Sequence, residues 1–286
     1  MSMEASLSSK VRVEDLSGGD DPEDIFASAP GFLFTDDLTN SHGSPNSVIK
    51  YRNARFGEIQ LRTADPDSEN ERQLFSHYLW NAGLKLAELV SEAHEQEDKR
   101  WSLEGEKVLE LGAGVGVDGI VATLAGAEEV VISDYPAQVV LDNIRQNATK
   151  NIPDHLKQRY SVHGHSWGVL DTPFALENKH HFTRILAADC YWLSGQHENL
   201  VSSMLHFLSL EPSARVFVIA GFHTGRARLA NFFEEATTQG LEADEIYEED
   251  DRGKRREWLP ERDGGRENHT ERKKWLVICR LKRKGT

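Results

Sequence analysis

The sequence predicts an α/β fold, in which a mostly parallel sheet of seven strands is covered by helices on both faces. Short apolar runs alternate with segments of helical spacing from residue 107 to residue 238, a pattern typical of parallel strands joined by helices. The last two strand candidates, Glu242–Tyr247 and Trp275–Leu281, have no helical pattern between them, and the polar, charged residues 248–272 that connect them predict a long loop. They predict an antiparallel hairpin that closes the sheet.

The other elements follow from the same patterns. Apolar runs bounded by glycine, proline or polar residues predict five strands before the hairpin: Val108–Leu111, Val130–Ile132, Tyr160–Val162, Arg184–Ala188 and Arg215–Ala220. Apolar residues three and four positions apart predict the helices between them: Val117–Ala125, Val139–Ala148, Glu198–Leu208 and Arg226–Thr238.

The N-terminal region divides into a tail and an extension of the domain. Residues 1–45 are rich in serine, glycine and acidic residues and predict a disordered tail. An apolar patch at 32–34 is compatible with a lid over a binding site, and a free tail is the alternative. The predicted domain spans residues 46–286 and begins with two short strands, Val48–Tyr51 and Phe56–Leu61, followed by a helix over Leu74–Ala93.

Composition excludes several function classes. The chain has 33 Lys+Arg and 47 Asp+Glu residues, a net charge of −14, which argues against nucleic-acid binding because phosphates need a positive surface. No segment approaches the ~18 apolar residues that span a membrane. Two cysteines provide neither a disulfide framework nor a zinc site, so we expect a cytoplasmic protein, with the nucleus as the alternative. Residues 252–286 hold thirteen Lys/Arg and five Asp/Glu, and we expect this basic segment to offset the acids Glu248–Asp251.

The sharpest motif is a glycine-rich turn, Glu110–Gly116, between a predicted strand and a predicted helix. Its glycines let a ligand approach the backbone, and Asp134 ends the next strand, where a carboxylate accepts hydrogen bonds from a ribose. A dinucleotide requires G-x-G-x-x-G directly after the strand, and Val117 breaks that spacing. The spacing therefore favours S-adenosylmethionine; a dinucleotide site and a tight turn without a ligand are the alternatives.

The turn and the segment Ser133–Pro136 resemble the seven-strand, class I S-adenosylmethionine-dependent methyltransferases, and the resemblance implies a Rossmann-like sheet. The chain is more closely similar to family 16, the lysine methyltransferases, in four segments: His77–Gly83, Leu141–Ile144, Trp167–Gly168 and Ala188–Trp192. Within that family it is most similar to fungal enzymes that methylate the N-terminal glycine and adjacent lysine of translation elongation factor 1-alpha. Their relatives also carry the name nicotinamide N-methyltransferase. The resemblance covers residues 45–285.

The resemblance implies a role for each matched residue. The implied cofactor-binding set comprises Trp80 at the methionine end, Glu110, Gly112, Ala113, Gly114 and Gly116 in the turn, Asp134 and Tyr135 at the ribose, Trp167 along the adenine and Ala188 beside the sulfonium.

The implied catalytic set comprises Asp189, Tyr191, Trp192 and His223. Asp189 is the first residue of a D-x-x-aromatic motif, and Trp192 is its last. The resemblance implies that this motif lies at the entrance for the acceptor amine. An aromatic pocket there favours the neutral amine by desolvation. His223 follows a strand and is a candidate for moving a proton, with a loop histidine as the alternative.

The expected activity is methyl transfer to an amine of a protein, a lysine or an N-terminal amine, with elongation factor 1-alpha as one candidate substrate. The alternatives are a small-molecule methyltransferase and a catalytically silent protein that binds a partner. Segments 193–197 and 222–225 depart from the relatives and indicate a changed acceptor. We expect a monomer that uses no metal and catalyses by positioning, with surface acids steering a basic substrate.

Overall fold

The computed structural model describes residues 6–15, 41–43, 47–64, 78–95 and 99–285. The strands of this part of the chain are β1 (Val11–Asp15), β2 (Ser41–His42), β3 (Ser47–Asn53), β4 (Gly57–Arg62), β5 (Leu79–Trp80), β6 (Lys107–Leu111), β7 (Glu129–Asp134), β8 (Tyr160–Gly164), β9 (Arg184–Ala188), β10 (Arg215–Gly221), β11 (Leu241–Asp250), β12 (Arg255–Glu257) and β13 (Trp275–Arg283). Its helices are α1 (Asn81–Glu92), α2 (Val117–Leu124), α3 (Gln138–Asn151), α4 (Pro173–Glu177), α5 (His197–Phe207), α6 (Arg226–Gln239) and α7 (His269–Arg272). None of these helices is long and apolar enough to cross a membrane.

Eight strands form the central sheet, in the spatial order β12-β11-β13-β10-β9-β6-β7-β8. Strands β6 to β10 run parallel, and β13 lies antiparallel to both β10 and β11. The prediction of a mostly parallel sheet with a closing antiparallel pair is therefore confirmed. The eighth strand, β12, lies in a segment that we expected to be a loop. It pairs with the edge of β11, where its arginines meet the acids of that strand.

Alternate residues of the sheet face two separate apolar layers. Val108 and Val130 pack with α1, α2 and α3 on one face, whereas Leu109 and Val131 pack with α4, α5 and α6 on the other. This alternation follows from the two-residue repeat of a strand. The helices on both faces explain why these strands read as continuous apolar runs rather than as alternating ones.

Strands β1, β3 and β4 form a smaller sheet that is fixed to α3 by an asparagine ladder: Asn143, Asn147 and Asn151, one turn apart. Asn151 exchanges two hydrogen bonds with the backbone of Gln60, at 2.9 and 2.7 Å. Asn147 exchanges two with the backbone of Arg62, both at 2.9 Å, and Asn143 donates to the same carbonyl at 2.8 Å. The ladder occupies backbone groups of β4 that an edge strand otherwise leaves to water.

The structure differs from the expected disordered tail at residues 7–15. There a short 3₁₀ turn leads into β1, which pairs antiparallel with β3 along its whole length. Leu7 is buried, and Lys10 forms an ion pair with the buried carboxylate of Glu88 on α1. Backbone pairing and these two side-chain contacts order a segment whose composition favours disorder. Residues 16–40, including the apolar patch at 32–34, lie outside the described residues.

The basic segment 252–286 lies against acidic residues of β11, as expected. Glu248 is fully buried and pairs with Arg226 at 2.5 Å and Arg256 at 2.7 Å. Arg226 also contacts Glu267 at 2.9 Å. A buried carboxylate requires such partners because water no longer solvates it. These pairs attach the segment after β11 to the first residue of α6, next to the end of β10.

Candidate functional site

A cavity of about 320 Å³ opens at the carboxyl ends of β6, β7 and β9. The strand order reverses at β6, since β7 lies on one side of it and β9 on the other. Ligands bind at such switch points in α/β sheets, because the adjoining loops diverge there. The lining has no lysine or arginine from the described residues, and its carboxyl groups belong to Glu110, Asp118, Asp134 and Asp189.

The glycine-rich turn forms the floor of this cavity. Gly112 and Gly114 line it with left-handed backbone, at φ values of 68° and 57°. A Cβ atom on Gly112 would lie 2.7 Å from the Sγ of Cys190 and 3.1 Å from the ring of Trp167. A side chain here would thus intrude on the space beneath Trp167. The bare backbone leaves a cradle that fits the flat adenine ring of S-adenosylmethionine.

Contacts on the side of the glycine-rich turn that faces away from the cavity hold the turn in place. Ala113 lines the cavity and donates its N–H to the carbonyl of Ser133 at 3.0 Å. Gly116, at φ 79°, does not line the cavity, contrary to its expected role, because it faces α3. A Cβ on it would lie 3.2 Å from Ile144. Asn147 of the asparagine ladder donates to the Val115 carbonyl at 3.0 Å, which connects the small sheet to the turn.

Asp134 lies at the end of β7 with its carboxylate directed across the turn. Its Oδ2 accepts from the N–H of Gly114 and its Oδ1 from the N–H of Tyr135, both at 2.7 Å. Burial raises the pKa of Asp134 to about 6, although both hydrogen bonds favour the charged form. Tyr135 also lines the cavity and is half-exposed. This carboxylate is suitably placed to accept hydrogen bonds from ribose hydroxyls.

Glu110 lines the cavity, but its carboxylate is occupied by α2. The Oε2 atom accepts from the N–H of Gly119 at 2.9 Å, where the first turn of the helix leaves backbone donors unpaired. A Cβ on Gly119 would lie 2.7 Å from that oxygen, so the glycine permits the contact. The structure therefore gives Glu110 a role in holding α2, and its contact with the cofactor stays a prediction.

Trp167 forms one wall of the cavity, above Gly112, with His165 and Ser166 beside it. His165 is buried, and its Nε2 lies 3.0 Å from the hydroxyl of Ser203, which also accepts the N–H of Gly168 at 2.9 Å. Burial lowers the pKa of His165 to about 4, so the ring is neutral near pH 7. This wall is aromatic and uncharged, as an adenine ring requires.

Three more aromatic residues, Tyr78, Trp80 and Trp192, line the cavity together with Ala188. Asp189 lies between these groups and the end of β10. It is a non-glycine residue with left-handed backbone, at φ 57°. Such strain is typical of functional sites when surrounding bonds hold it. Here the Asp189 N–H donates to the carbonyl of Ile219 at 2.8 Å, and its Oδ1 accepts from the N–H of Gly221 at 3.1 Å.

His223 lies behind these residues rather than in the cavity lining. Its ring stacks on Trp80 with centroids 5.0 Å apart, and its Nε2 lies 3.3 Å from Asp189 Oδ1. Its Nδ1 is buried and has no hydrogen-bond partner among the described residues. Burial by itself lowers the pKa of His223, but the charge and hydrogen bond of Asp189 outweigh it and raise the pKa above its ordinary value. His223 therefore contacts both Asp189 and Trp80 from behind.

Tyr191 does not reach the cavity, so its expected place in the aromatic pocket is wrong. Its hydroxyl donates to the Ala187 carbonyl at 2.9 Å, and its ring packs against Phe232 in the core. The left-handed turn at Asp189 directs the chain so that Trp192 faces the cavity and Tyr191 faces the opposite layer. The neighbouring thiol of Cys190 is buried, which raises its pKa well above the ordinary range.

Sequence reasoning assigned no role to several residues of the lining: Tyr78, Leu79, Gly83, Val115, Val117, Asp118, His165, Ser166, Leu193, Gln196 and Asn199. For Tyr78 and Gly83 a signal was available, because both lie in the matched segment 77–83. Asp118 also carries a signal, since it is an acid at the start of an otherwise apolar helix, Val117–Leu124. Leu79 and Val115 also lie within matched motifs, and Val117 and Asn199 lie on predicted helices. The others, His165, Ser166, Leu193 and Gln196, come from connections whose course the sequence does not determine.

Known proteins share the sequence around this cavity. The family model described as lysine methyltransferase matches residues 67–239, which include every lining residue. The protein N-terminal and lysine N-methyltransferase efm7 of Schizosaccharomyces pombe is 31% identical over 201 residues, covering 67% of this chain and 72% of that enzyme. The enzyme of the same name from Cryptococcus neoformans is 30% identical over 210 residues, covering 71% of this chain and 65% of its own. That of Yarrowia lipolytica is 27% identical over 266 residues, covering 82% and 88%.

Solved structures share the fold. A Pyrococcus horikoshii protein assigned as an RNA methyltransferase superposes with a TM-score of 0.52 at 14% identity, covering 78% of this chain and 93% of its own. A Streptococcus mutans protein assigned as an S-adenosylmethionine-dependent methyltransferase gives 0.51 at 10% identity, covering 86% and 56%. At such low identity these two structures inform the fold alone. The sequence match across the whole cavity shows that the chain belongs to the lysine methyltransferase family and is an S-adenosylmethionine-dependent methyltransferase.

Proposed function

We propose that the protein transfers methyl groups to an amine of a protein substrate, either a lysine side chain or an N-terminal α-amine. The observation that carries this proposal is the set of acids in the cavity, whose lining supplies four carboxyl groups and, within the described ranges, no lysine or arginine. Both reactants bring positive charge, on the sulfonium of the donor and on the ammonium form of the acceptor. An acidic cavity with aromatic walls stabilises both.

The turn and β7 are assigned to the donor. Gly112 and Gly114 expose bare backbone beneath Trp167, which gives adenine one flat aromatic neighbour. The Asp134 carboxylate, which holds Gly114 in the free protein, gains ribose hydroxyls as donors. When bound, S-adenosylmethionine supplies an electrophilic methyl group on a positively charged sulfur.

Asp189 and the aromatic end are assigned to the acceptor. Asp189 Oδ1 is occupied by Gly221 and His223, and within the described residues no hydrogen bond reaches its Oδ2. That oxygen is the atom we assign to orienting the ammonium before it loses its proton. Trp80 and Trp192 then desolvate the amine, which favours the neutral, nucleophilic form. In-line attack requires the nitrogen within ~3–3.5 Å of the methyl carbon, so these side chains act by positioning.

His223 acts as a positioning residue in this scheme. It contacts Asp189 through Nε2 and stacks on Trp80, and neither of its nitrogens lines the cavity. The imidazole of His223 holds Oδ1 of Asp189, which leaves Oδ2 for the substrate. Replacement by glutamine should therefore change the pH profile of methyl transfer, whereas the affinity for 5′-methylthioadenosine should stay within twofold of wild type.

The substrate class draws on the relatives as well as on the cavity. The enzymes from S. pombe, C. neoformans and Y. lipolytica are named protein N-terminal and lysine N-methyltransferases, and we extend that acceptor class to this chain. Cytoplasmic elongation factor 1-alpha, implied by the sequence resemblance, is the first candidate. The changed segments 193–197 and 222–225 adjoin the acceptor end, since Leu193 and Gln196 line the cavity and His223 contacts Asp189.

The test is transfer of tritiated methyl groups into whole-cell extract by the purified full-length protein, followed by separation into protein and small-molecule fractions. We expect label in protein. Recombinant elongation factor 1-alpha is then tested alone, and mass spectrometry locates the methyl group. Label confined to the small-molecule fraction would contradict the proposal and favour a small-molecule acceptor.

Two matched variants test the acceptor site. Asp189→Asn should lower methyl transfer about 100-fold, the scale expected for a misplaced reactant, while 5′-methylthioadenosine binds within twofold of wild type. Asp142→Asn makes the same chemical change on the exposed face of α3, where Asp142 pairs with Arg145, and should alter neither quantity. Equal loss of transfer and of nucleoside binding in the first variant would move Asp189 into the donor site.

A further inference from the structure

Residues 41–43, which we call the strap, connect the small sheet to the wall of the cavity. The strap begins with β2, whose two residues pair antiparallel with the two residues of β5. Ser41 lies opposite Trp80, and His42 lies opposite Leu79. A pair of such short strands is marginal by itself, so other contacts must hold the strap against β5.

His42 supplies one of these contacts through its side chain. Its Nε2 lies 2.8 Å from Oδ1 of Asn81, the first residue of α1, and both side chains are buried. The amide oxygen can only accept, so His42 donates this bond. Burial lowers the pKa of His42, although the hydrogen bond to Asn81 favours the charged form. The strap therefore holds three consecutive residues, 79 and 80 by backbone pairing and 81 by a neutral imidazole.

The other end of the strap is fixed to the small sheet. Gly43 has left-handed backbone, at φ 97°, and a Cβ on it would lie 2.6 Å from Cδ1 of Ile49 and 2.8 Å from Cγ2 of Thr63. Ile49 belongs to β3, and Thr63 directly follows β4. The glycine thus lets the strap run close over this sheet. The strap connects β5 to the same sheet that the asparagine ladder attaches to α3.

Trp80 needs this support because of its place in the chain. It precedes the first residue of α1 with extended backbone, and its side chain forms no capping hydrogen bond. An indole has no oxygen with which to cap a helix, so the start of α1 is not fixed in the usual way. The Trp80 ring lines the cavity and stacks on His223. The bond from His42 to Asn81 fixes the residue next to this ring.

We infer that His42 is a positioning residue for methyl transfer, which holds Trp80 in the cavity wall through the strap and Asn81. This inference rests on the proposed function, which assigns Trp80 to desolvating the acceptor amine. His42 does not itself line the cavity, so it acts through its neighbours. The nucleoside part of the donor is assigned to Asp134 and Trp167, and its affinity should therefore not depend on His42.

Fluorine NMR of the full-length protein labelled with 5-fluorotryptophan observes the Trp80 ring directly. The chain has six tryptophans, and Trp80→Phe identifies the Trp80 resonance by its loss. His42→Ala should shift or broaden this resonance and leave the other five in place. His42→Gln keeps an N–H donor and should restore it. Asn81→Ala removes the same hydrogen bond from its other partner and should reproduce the effect of His42→Ala, so the test does not depend on one variant folding.

Methyl transfer is measured in the same variants, with tritiated S-adenosylmethionine and the protein fraction of whole-cell extract. His42→Ala and Asn81→Ala should each lower the initial rate about 10- to 100-fold, the scale expected for a displaced active-site group. The double variant should lose no more than the slower single variant, because both remove one bond. All three should bind 5′-methylthioadenosine within twofold of wild type. His181→Ala is the matched control: it removes a histidine contact of the same 2.8 Å length, to Glu129, and should change none of these quantities.

The inference fails if the Trp80 resonance keeps its position in both His42→Ala and Asn81→Ala. It also fails if the resonance moves while methyl transfer stays within twofold of wild type, or if His42→Gln behaves as His42→Ala does. If wild type transfers no label to any acceptor, the proposed function fails, and the fluorine spectra still decide whether His42 positions Trp80.

Discussion

Replacing Gly112 by alanine tests whether the floor of the cavity is the surface that carries the donor. The backbone at Gly112 is left-handed, with φ 68°, and a side chain would meet Cys190 Sγ at 2.7 Å and Trp167 at 3.1 Å. Contacts with Cβ below about 3 Å essentially do not occur in proteins. Either the Cys190 thiol or the turn must therefore move, and Trp167 must shift by a few tenths of an ångström, so the space left for adenine changes.

The expected loss in the free energy of unfolding has two parts, and the same substitution at Gly105 separates them. A left-handed alanine costs about 1–2 kcal/mol, and overpacking of a close-fitted site adds about 1–3 kcal/mol. Gly105 has nearly the same backbone, at φ 74°, but a Cβ on it would meet no atom within 4 Å. Gly105→Ala should therefore lower the free energy of unfolding by the backbone part alone, and Gly112→Ala by about 2–5 kcal/mol in total.

Urea denaturation measures the free energy of unfolding, and calorimetry measures the affinity for 5′-methylthioadenosine. Gly105→Ala should bind the nucleoside as wild type does, whereas Gly112→Ala should bind it at least tenfold more weakly. Adding Cys190→Ala to Gly112→Ala removes the sulfur contact and should recover part of both losses. Nucleoside affinity within twofold of wild type in Gly112→Ala, with the same stability loss as Gly105→Ala, would refute the assignment of this turn to the donor.

Other substitutions test separate parts of the structure. Asp134→Asn should weaken 5′-methylthioadenosine about 10- to 100-fold at pH 8. The wild-type affinity should fall as the pH drops through about 6, where Asp134 gains a proton, and the variant should lack that dependence in a calorimetric titration. Trp167→Ala should cost about 5- to 100-fold in affinity for the same nucleoside through lost stacking, and an unchanged affinity would place adenine elsewhere. Tyr191→Phe should lower stability by about 1 kcal/mol and leave methyl transfer unchanged, so a tenfold loss of transfer would return Tyr191 to the catalytic set. Asn151→Ala should lower the free energy of unfolding by about 1–3 kcal/mol in urea, and no change would show that the ladder contributes nothing.

The parallel part of the fold could be predicted because its signals are local. Buried strands read as apolar runs, and the turn after Leu111 needs left-handed backbone that glycine supplies. Strand β12 could not be predicted in this way. It forms because Arg255 and Arg256 meet Glu249 and Glu248, and pairing between charged residues of two strands leaves no apolar period in the sequence.

The acceptor end shows where sequence reasoning stops. The spacing of the D-x-x-aromatic motif does not tell which way each side chain faces. The left-handed backbone at Asp189 turns the Tyr191 side chain to the side opposite the one it would face in an extended chain. His223 lies 34 residues after Asp189 in the chain, so their contact depends on the parallel pairing of β9 with β10. The buried Oδ1 atom of Asp118, which has no hydrogen-bond partner in the described part of the chain, likewise appears only when all neighbouring elements are in place.

The asparagine ladder joins two periodic objects whose repeats nearly, but not fully, agree. Four residues of α3 advance about 6 Å, whereas two residues of β4 advance about 6.7 Å, so each rung falls short by about 0.7 Å. Asn151 bonds to Gln60, and Asn147 bonds to Arg62, two residues further along the strand. Asn143 also bonds to Arg62 rather than to a residue further along. The mismatch thus limits the length of such a ladder, because the side chains and the backbone groups of the strand fall out of register after a few residues. It also implies that insertions are tolerated in the turn at 54–56 but not within β4, where one added residue would break the coincidence.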